Sequence, residues 1–217
     1  MKTLEELINK EEPGIILIKE FLESAKNSWE LLPPSDQNET VLEKMQITTR
    51  SPMGAMIYDT GGLLIDYGWL RFIGSGHPKL SRNLSSWNEG RANEFCLVAD
   101  DAVGGFFAIN GGGLGDDLGM IYYWAPDTAE WEALEIGYTD FLQWSLSEQL
   151  ADFYQALRWD NWQKDTADLN GDDCFSFYPF LWTDQGSIEG STRKVLPVKE
   201  EFDLRLDISR QLFEANT

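Results

Sequence analysis

The stretch 94–144 constrains the fold of this chain more than any other. Short runs of aromatic and β-branched residues alternate there with clusters of Gly, Asp, Asn and Pro, the pattern of strands joined by tight turns. Residues 95–99, 106–109, 119–124 and 130–134 read as four successive strands. Asp100-Asp101-Ala102-Val103-Gly104-Gly105 supplies turn chemistry between the first two, since Asp accepts local hydrogen bonds and Gly takes positive φ without steric cost. Ala125-Pro126-Asp127-Thr128 fits a type I turn. Connections this short join antiparallel neighbours, so the stretch predicts a meander. A helix follows from Tyr138, with Thr139 as the expected N-cap. The fold class is α+β: a mixed, mainly antiparallel sheet flanked by helices.

The rest of the 217 residues is read as part of one domain. Thr3-Leu-Glu-Glu6 is a capping box opening a short helix, and Ile15, Ile18, Phe21 and Leu22 are spaced for one buried helical face. Pro33 and Pro34 place residues 31–35 in a loop, and from Thr40 helix and strand are both open. Residues 53–58 read as a strand, and 63–73 as a long apolar strand bulged at Gly68. Trp87 anchors a polar, irregular segment. Helical spacing continues over 147–162, Pro179 confines 175–182 to an edge strand or extended loop, and 191–198 reads as another short edge strand. A terminal helix is expected over 200–216, with Phe202, Leu206, Ser209 and Phe213 on one side.

The formal charge of −20 argues against binding nucleic acid, which needs cations against phosphates, and favours a basic partner through electrostatic steering. It equally serves solubility. No apolar run approaches the ~20 residues a membrane-spanning helix needs, so no integral membrane contact is expected. The acidic N-terminus lacks a signal-peptide pattern, and the location expected is cytoplasmic, with Cys96 and Cys174 as reduced, buried thiols.

Each candidate for chemistry has a plainer reading beside it. The glycine loop 111–119 is followed by a strand and carries Asp116 and Asp117, so it reads as a hairpin loop rather than a phosphate cradle. Asp168-Leu-Asn-Gly-Asp172 resembles half a calcium loop but lacks the required Gly and Glu, so no metal is expected. His77, the single histidine, could serve a ligand pocket with Ser75 but has no partner motif, and Asp100-Asp101 reads first as a turn. No catalytic residues and no cofactor are assigned. Trp124 and Trp131, flanking the Pro126 turn, are the candidates for an exposed anchor.

The order of the Gly-Gly-Phe-Phe-Ala-Ile-Asn110 strand, the Ile-Tyr-Tyr-Trp124 strand, the Asp127-Thr-Ala-Glu-Trp-Glu132 turn and the Tyr138-Thr-Asp-Phe-Leu-Gln-Trp144 helix resembles the SUKH superfamily, which includes Syd and Knr-type regulators. Over nearly its whole length the chain also resembles a bacterial family of unknown function marked by Thr49-Arg-Ser-Pro-Met-Gly54, Gly68-Trp-Leu-Arg71, Gly74-Ser-Gly-His-Pro78 and Ala125-Pro-Asp-Thr128. The superfamily resemblance implies an α+β fold and, for many bacterial members, a role as an immunity protein against a toxin domain, often a nuclease. Together with the acidity, it yields a non-enzymatic binding protein for a basic toxin domain. The expected contacts are Asp100, Asp101, Asp116, Asp117, Trp124, Asp127, Glu130 and Trp131. An enzyme or small-ligand protein with a pocket at residues 74–77 is the alternative.

Overall fold

The computed structural model describes residues 1–215, with side chains to residue 208. Its centre is a seven-stranded sheet of β1 (Trp29–Leu32), β2 (Gly62–Ile65), β3 (Leu70–Ile73), β4 (Phe95–Asp101), β5 (Phe106–Asn110), β6 (Met120–Trp124) and β7 (Trp131–Gly137). Spatial order follows chain order, and every neighbouring pair is antiparallel. The α+β class and the meander over β4–β7 are therefore as expected, and the antiparallel order extends three strands further towards the N-terminus, with helices in the β1–β2 and β3–β4 connections.

Directly opposed residues in a ladder share a sheet face, so register assigns the layers. The row Leu63, Phe72, Ala99, Phe107 and Tyr123 lies on one face. There Phe72 and Phe107 pack on Phe141 of α6 (Tyr138–Ser145), with ring centroids 4.9 and 4.7 Å apart. Helices α1 (Leu4–Leu7), α2 (Ile15–Ser24), α3 (Asn38–Met45), α4 (Pro52–Asp59) and α5 (Leu84–Asn88) complete the N-terminal part. The row Glu30, Leu64, Arg71, Asp100, Phe106, Trp124 and Trp131 lies on the other face. Its middle is covered by most of the C-terminal third: α8 (Trp162–Ala167), the β8 (Asp173–Tyr178)–β9 (Thr192–Pro197) hairpin and α9 (Val198–Ala215), whereas α7 (Gln149–Phe153) joins α6 on the first face, with Phe153 against Phe107 and Tyr123. Phe202 of α9 meets Phe106 edge-on at 4.9 Å, and the Phe175 N–H donates to the Ala102 carbonyl at 2.8 Å.

Local rules account for most elements. The Glu6 carboxylate accepts from the Thr3 N–H at 2.7 Å, one arm of the capping box. Ile18 and Leu22 are buried along α2, and Trp87 is buried in α5. The Pro33-Pro34 loop begins only after β1 has taken Leu31 and Leu32, and α9 starts at Val198. The expected facing positions Ser209 and Phe213, and the expected helix end Asn216, lie outside the described residues or side chains.

Three expectations are corrected. Residues 53–58 form helix α4, not a strand, because Ser51 caps it by accepting from the Gly54 N–H at 3.1 Å and Pro52 sits in its first turn. The run 63–73 is not one bulged strand but the β2–β3 hairpin, turned where Asp66, Tyr67 and Gly68 all have positive φ. The helical spacing over 147–162 is broken into α7, a 3-10 turn (Gln155–Leu157) and α8, with Asn161 at φ 67° before α8. Two details also differ. Gly137 takes the cap position expected of Thr139, and Cys96 is only half-buried, whereas Cys174 is buried.

The close approach at Gly54 is testable. A Cβ there would lie 2.1 Å from the Thr48 carbonyl oxygen, a backbone atom that cannot swing away. Gly54→Ala should cost about 2–3 kcal/mol in urea unfolding despite alanine's better helix propensity.

Candidate functional site

The acids singled out in the sequence divide by burial. Asp100 and Asp101 are both fully buried, so they are not surface contacts for a partner. Strand β4 runs through them, and the Gly104-Gly105 turn begins only afterwards. Trp124 is 5% exposed and packs edge-on against Trp131 at 5.6 Å, so it belongs to the core, whereas Trp131 is half-buried. Asp116, Asp127 and Glu130 are exposed. Asp117 is half-exposed and accepts from the Tyr122 hydroxyl at 2.6 Å, a bond that holds its carboxyl below the usual range.

These surface acids sit at opposite ends of β6, five residues or roughly 17 Å apart at ~3.3 Å per residue. What joins them is β7, an outer strand of the sheet, where Glu132 and Glu135 are exposed. The strip has a sequence signature. Between Arg91 and Arg158 the chain has no Lys, Arg or His and 12 Asp or Glu, and only Asp100 and Asp101 of these are buried. A shift in the β6–β7 register with Glu135 at φ 56° bulges the edge. Charge and bulge together resist strand addition, so a partner would meet side chains rather than extend the sheet.

The loop at 74–77 is built differently from the pocket expected there. Ser75 is buried, its hydroxyl donates to the Thr60 carbonyl at 2.8 Å, and it accepts from the Ser35 N–H at 3.0 Å. That hydroxyl holds the loop to the chain before α3. His77 is half-buried and its Nδ1 accepts from the Lys79 N–H at 3.2 Å. No hydrogen bond joins Ser75 to His77 among the described residues, and neither residue lines the cleft at β1–β3.

A concavity lies nearby, on the sheet face that the C-terminal third leaves open at β1–β3. It is a cleft of about 450 Å³ lined by Glu30, Leu64 and Arg71 of the cross-sheet row, by Tyr67 and Lys79, and by residues 166–171. Lys79 Nζ donates to both Glu30 carboxylate oxygens, at 2.6 and 2.8 Å.

Behind the cleft is an ion network that sequence reasoning missed. Arg71 is 1% exposed; its Nη1 donates to the Asp173 carbonyl and its Nη2 to the Asp101 carbonyl, both at 2.5 Å. Nη2 also lies 2.7 Å from Asp100 Oδ1, a charge contact without hydrogen-bond geometry. Asp100 Oδ2 accepts from Arg82 Nη1 at 2.5 Å, and Arg82 Nε donates to Asp172 at 2.9 Å. Burial alone would depress the Arg82 pKa, but Asp100 and Asp172 outweigh it and hold the guanidinium charged. Asp172 also accepts from the Ser81 N–H at 2.7 Å, so the calcium-like segment is used internally. Among the described residues no group of three or more His, Cys, Asp or Glu is arranged to hold a metal. The one sequence sign of the network was an arginine inside the apolar run 69–73.

Comparison with known proteins finds relatives along most of the chain. The uncharacterised protein YbfG of Escherichia coli (strain K12) is 47% identical over 211 residues, covering 94% of this chain and 96% of that protein. An uncharacterised protein of Haemophilus influenzae (strain ATCC 51907 / DSM 11121 / KW20 / Rd) is 44% identical over 193 residues, covering 85% of each. Residues 4–201 match the model of a protein family of unknown function, DUF2625, and the chain belongs to that family.

Proposed function

We propose that this protein is a non-enzymatic recognition protein whose acidic β7 edge binds a basic domain of another protein. The observation that carries this reading is the strip of Asp116, Asp127, Glu130, Glu132 and Glu135, set in a 66-residue stretch without a basic side chain. Four arginines whose side chains are at most 10% exposed, Arg71, Arg82, Arg158 and Arg205, are paired with Asp66, Asp100, Asp172 and Glu201, so the formal −20 resides on the rest of the chain, mostly at the surface. A field of that sign speeds encounter with a cationic partner and discourages nucleic acid. Half-buried Trp131, beside Glu130, supplies an apolar anchor within the charged strip. The SUKH-like order of elements makes an immunity role the specific form of the proposal: a cytoplasmic protein occupying the cationic cleft of a nuclease-like toxin domain. No helix among the described residues is long and apolar enough to cross a membrane.

The test is co-expression with basic proteins encoded beside the gene, read by co-elution and by protection of the host. Neither a complex nor protection with any of them would remove the proposal. Where a complex forms, the triple variant Glu130→Gln, Glu132→Gln, Glu135→Gln should lower the association rate ~10-fold at low salt, with a smaller effect at high salt. All three carboxylates are exposed, so thermal unfolding should stay within a few degrees of the parent.

A further inference from the structure

We propose that the cleft beneath the β2–β3 hairpin binds an uncharged, hydroxyl-rich ring compound, a mono- or disaccharide. This site is independent of the acidic strip, which runs along β7 at the other edge of the sheet.

Four observations converge on it. The cleft's volume, about 450 Å³, falls within the ~300–1,000 Å³ of small-molecule sites. Three aromatic side chains are strongly exposed among the described residues, Trp29, Tyr67 and Tyr178, and the first two, at 45% and 48%, line this cleft. Tyr67 is held there against its backbone preference. The Trp69 N–H donates to the Asp66 carbonyl at 3.1 Å, and the two residues between, Tyr67 and Gly68, have φ of 62° and 81°. Positive φ at both central positions is the type I′ geometry that Asn-Gly satisfies, and a tyrosine at its first position is strained. Finally, Arg71 at the floor has a buried Nε–H with no acceptor.

The charges select the ligand. On the lining Lys79 is paired with Glu30, Arg71 is paired behind the cleft with Asp100, and Asp168 adds a further carboxylate, so the cleft holds no uncompensated cation inside a strongly acidic protein. A carboxylate or phosphate ligand would meet two carboxylates and an unfavourable overall field, and a cation would meet two cations. A ligand rich in hydroxyls both donates and accepts. It can supply oxygen to Lys79 Nζ and donate to Glu30 and Asp168 above the Arg71 guanidinium, while its ring C–H face lies on exposed aromatic surface.

The experiment is a titration of the intact protein with methyl glucoside, N-acetylglucosamine and maltose, with acetate and inorganic phosphate as anionic probes. The readouts are the Arg71 Nε–H resonance and saturation transfer to the added compound. We expect a saturable millimolar response to at least one sugar and none to the anions. Tyr67→Asn puts the preferred residue into the turn, so it should melt at the parent's temperature or a few degrees higher while weakening sugar binding ~10-fold. The proposal is overturned by the absence of a saturable response to every sugar, or by a response to acetate or phosphate instead. It is equally overturned if Tyr67→Asn binds sugar like the parent. A fall in melting temperature of more than ~5 °C in that variant would show that the ring serves packing on Trp162, 6.1 Å away, and would also overturn it.

Discussion

Replacing Asp100 with alanine is expected to lower the unfolding free energy by about 3–5 kcal/mol, among the largest single effects in the molecule. Asp100 is fully buried between two guanidinium groups, Arg71 at 2.7 Å and Arg82 at 2.5 Å. Removing it leaves Arg71, 1% exposed, with carbonyl acceptors but no counter-charge in contact. A buried unpaired cation costs more than the ion pair contributed, because desolvation of the remaining charge is no longer offset. Arg82 suffers less, since it keeps Asp172 and the Gly171 carbonyl at 2.7 Å.

The same network fastens the C-terminal third to the sheet. Arg71 reaches the Asp173 carbonyl at the start of β8, and Arg82 reaches Asp172 and Gly171 just before it. Asp100→Ala should therefore raise amide exchange in β8 and β9 before it does so in β4–β6, which mass spectrometry of exchanged peptides would resolve. Arg71→Lys should cost about 2 kcal/mol, since one ammonium keeps the charge but cannot bridge two carbonyls and a carboxylate as the planar fork does. If Arg71→Lys proves as damaging as Asp100→Ala, bridging geometry rather than charge compensation dominates here, and the ranking argued above fails. Urea unfolding with unchanged m-values is the measurement.

The network also marks where sequence reading runs out. The β4–β7 meander was legible because each turn carries its own chemistry: Gly104-Gly105, the glycine loop after Asn110, and Pro126-Asp127. Local chemistry determines local geometry. Asn110 organises its loop through nearby partners, accepting from the Gly112 and Leu114 N–H groups at 2.8 and 3.1 Å. Asp100-Asp101 looked like turn acids by the same logic, next to two glycines. For Asp101 that is half right, since its Oδ1 accepts from the Val103 and Gly105 N–H groups of the turn, but its Oδ2 serves Tyr123 and Tyr154 and Asp100 pairs with Arg71 and Arg82, all from distant segments, and no local pattern reveals such pairings. Residues 53–58 failed for a different reason. A six-residue apolar run has no decisive period, and the Ser51-Pro52 start signal settled it as a helix. The acidic strip was half-legible. Asp116, Asp127 and Glu130 were marked from the sequence, but Glu132 and Glu135 belong with them only because β7 is an edge strand. The open cleft could not be foreseen, since it exists only where the C-terminal layer stops short of β1.

Asp101 supplies the second large effect and a sharper contrast between variants. Its Oδ1 accepts from the Val103 and Gly105 N–H groups at 3.0 and 2.7 Å, and its Oδ2 from the Tyr123 and Tyr154 hydroxyls at 2.8 and 3.0 Å. Asp101→Ala leaves two buried amides and two buried hydroxyls without their acceptor and should cost about 4 kcal/mol. Asp101→Asn should cost about 1 kcal/mol or less at neutral pH. The amide oxygen still accepts from both N–H groups, and the amide nitrogen can donate to the two hydroxyl oxygens, which accept as readily as they donate. The difference also has a pH signature. Burial pushes the Asp101 carboxyl above its ordinary value of 3.8, against the opposing pull of hydrogen bonds from Gly105, Tyr123, Val103 and Tyr154. A carboxyl whose pKa is raised on folding binds protons more tightly in the native state, so its contribution is greatest below 3.8 and is lost as pH rises towards the folded value. Asparagine does not titrate. The parent's advantage over Asp101→Asn should therefore be largest in mild acid and shrink as pH rises above 4, in paired urea titrations across that range. An advantage that grows with pH would mean that the four donors overcome burial and keep Asp101 ionised in the fold.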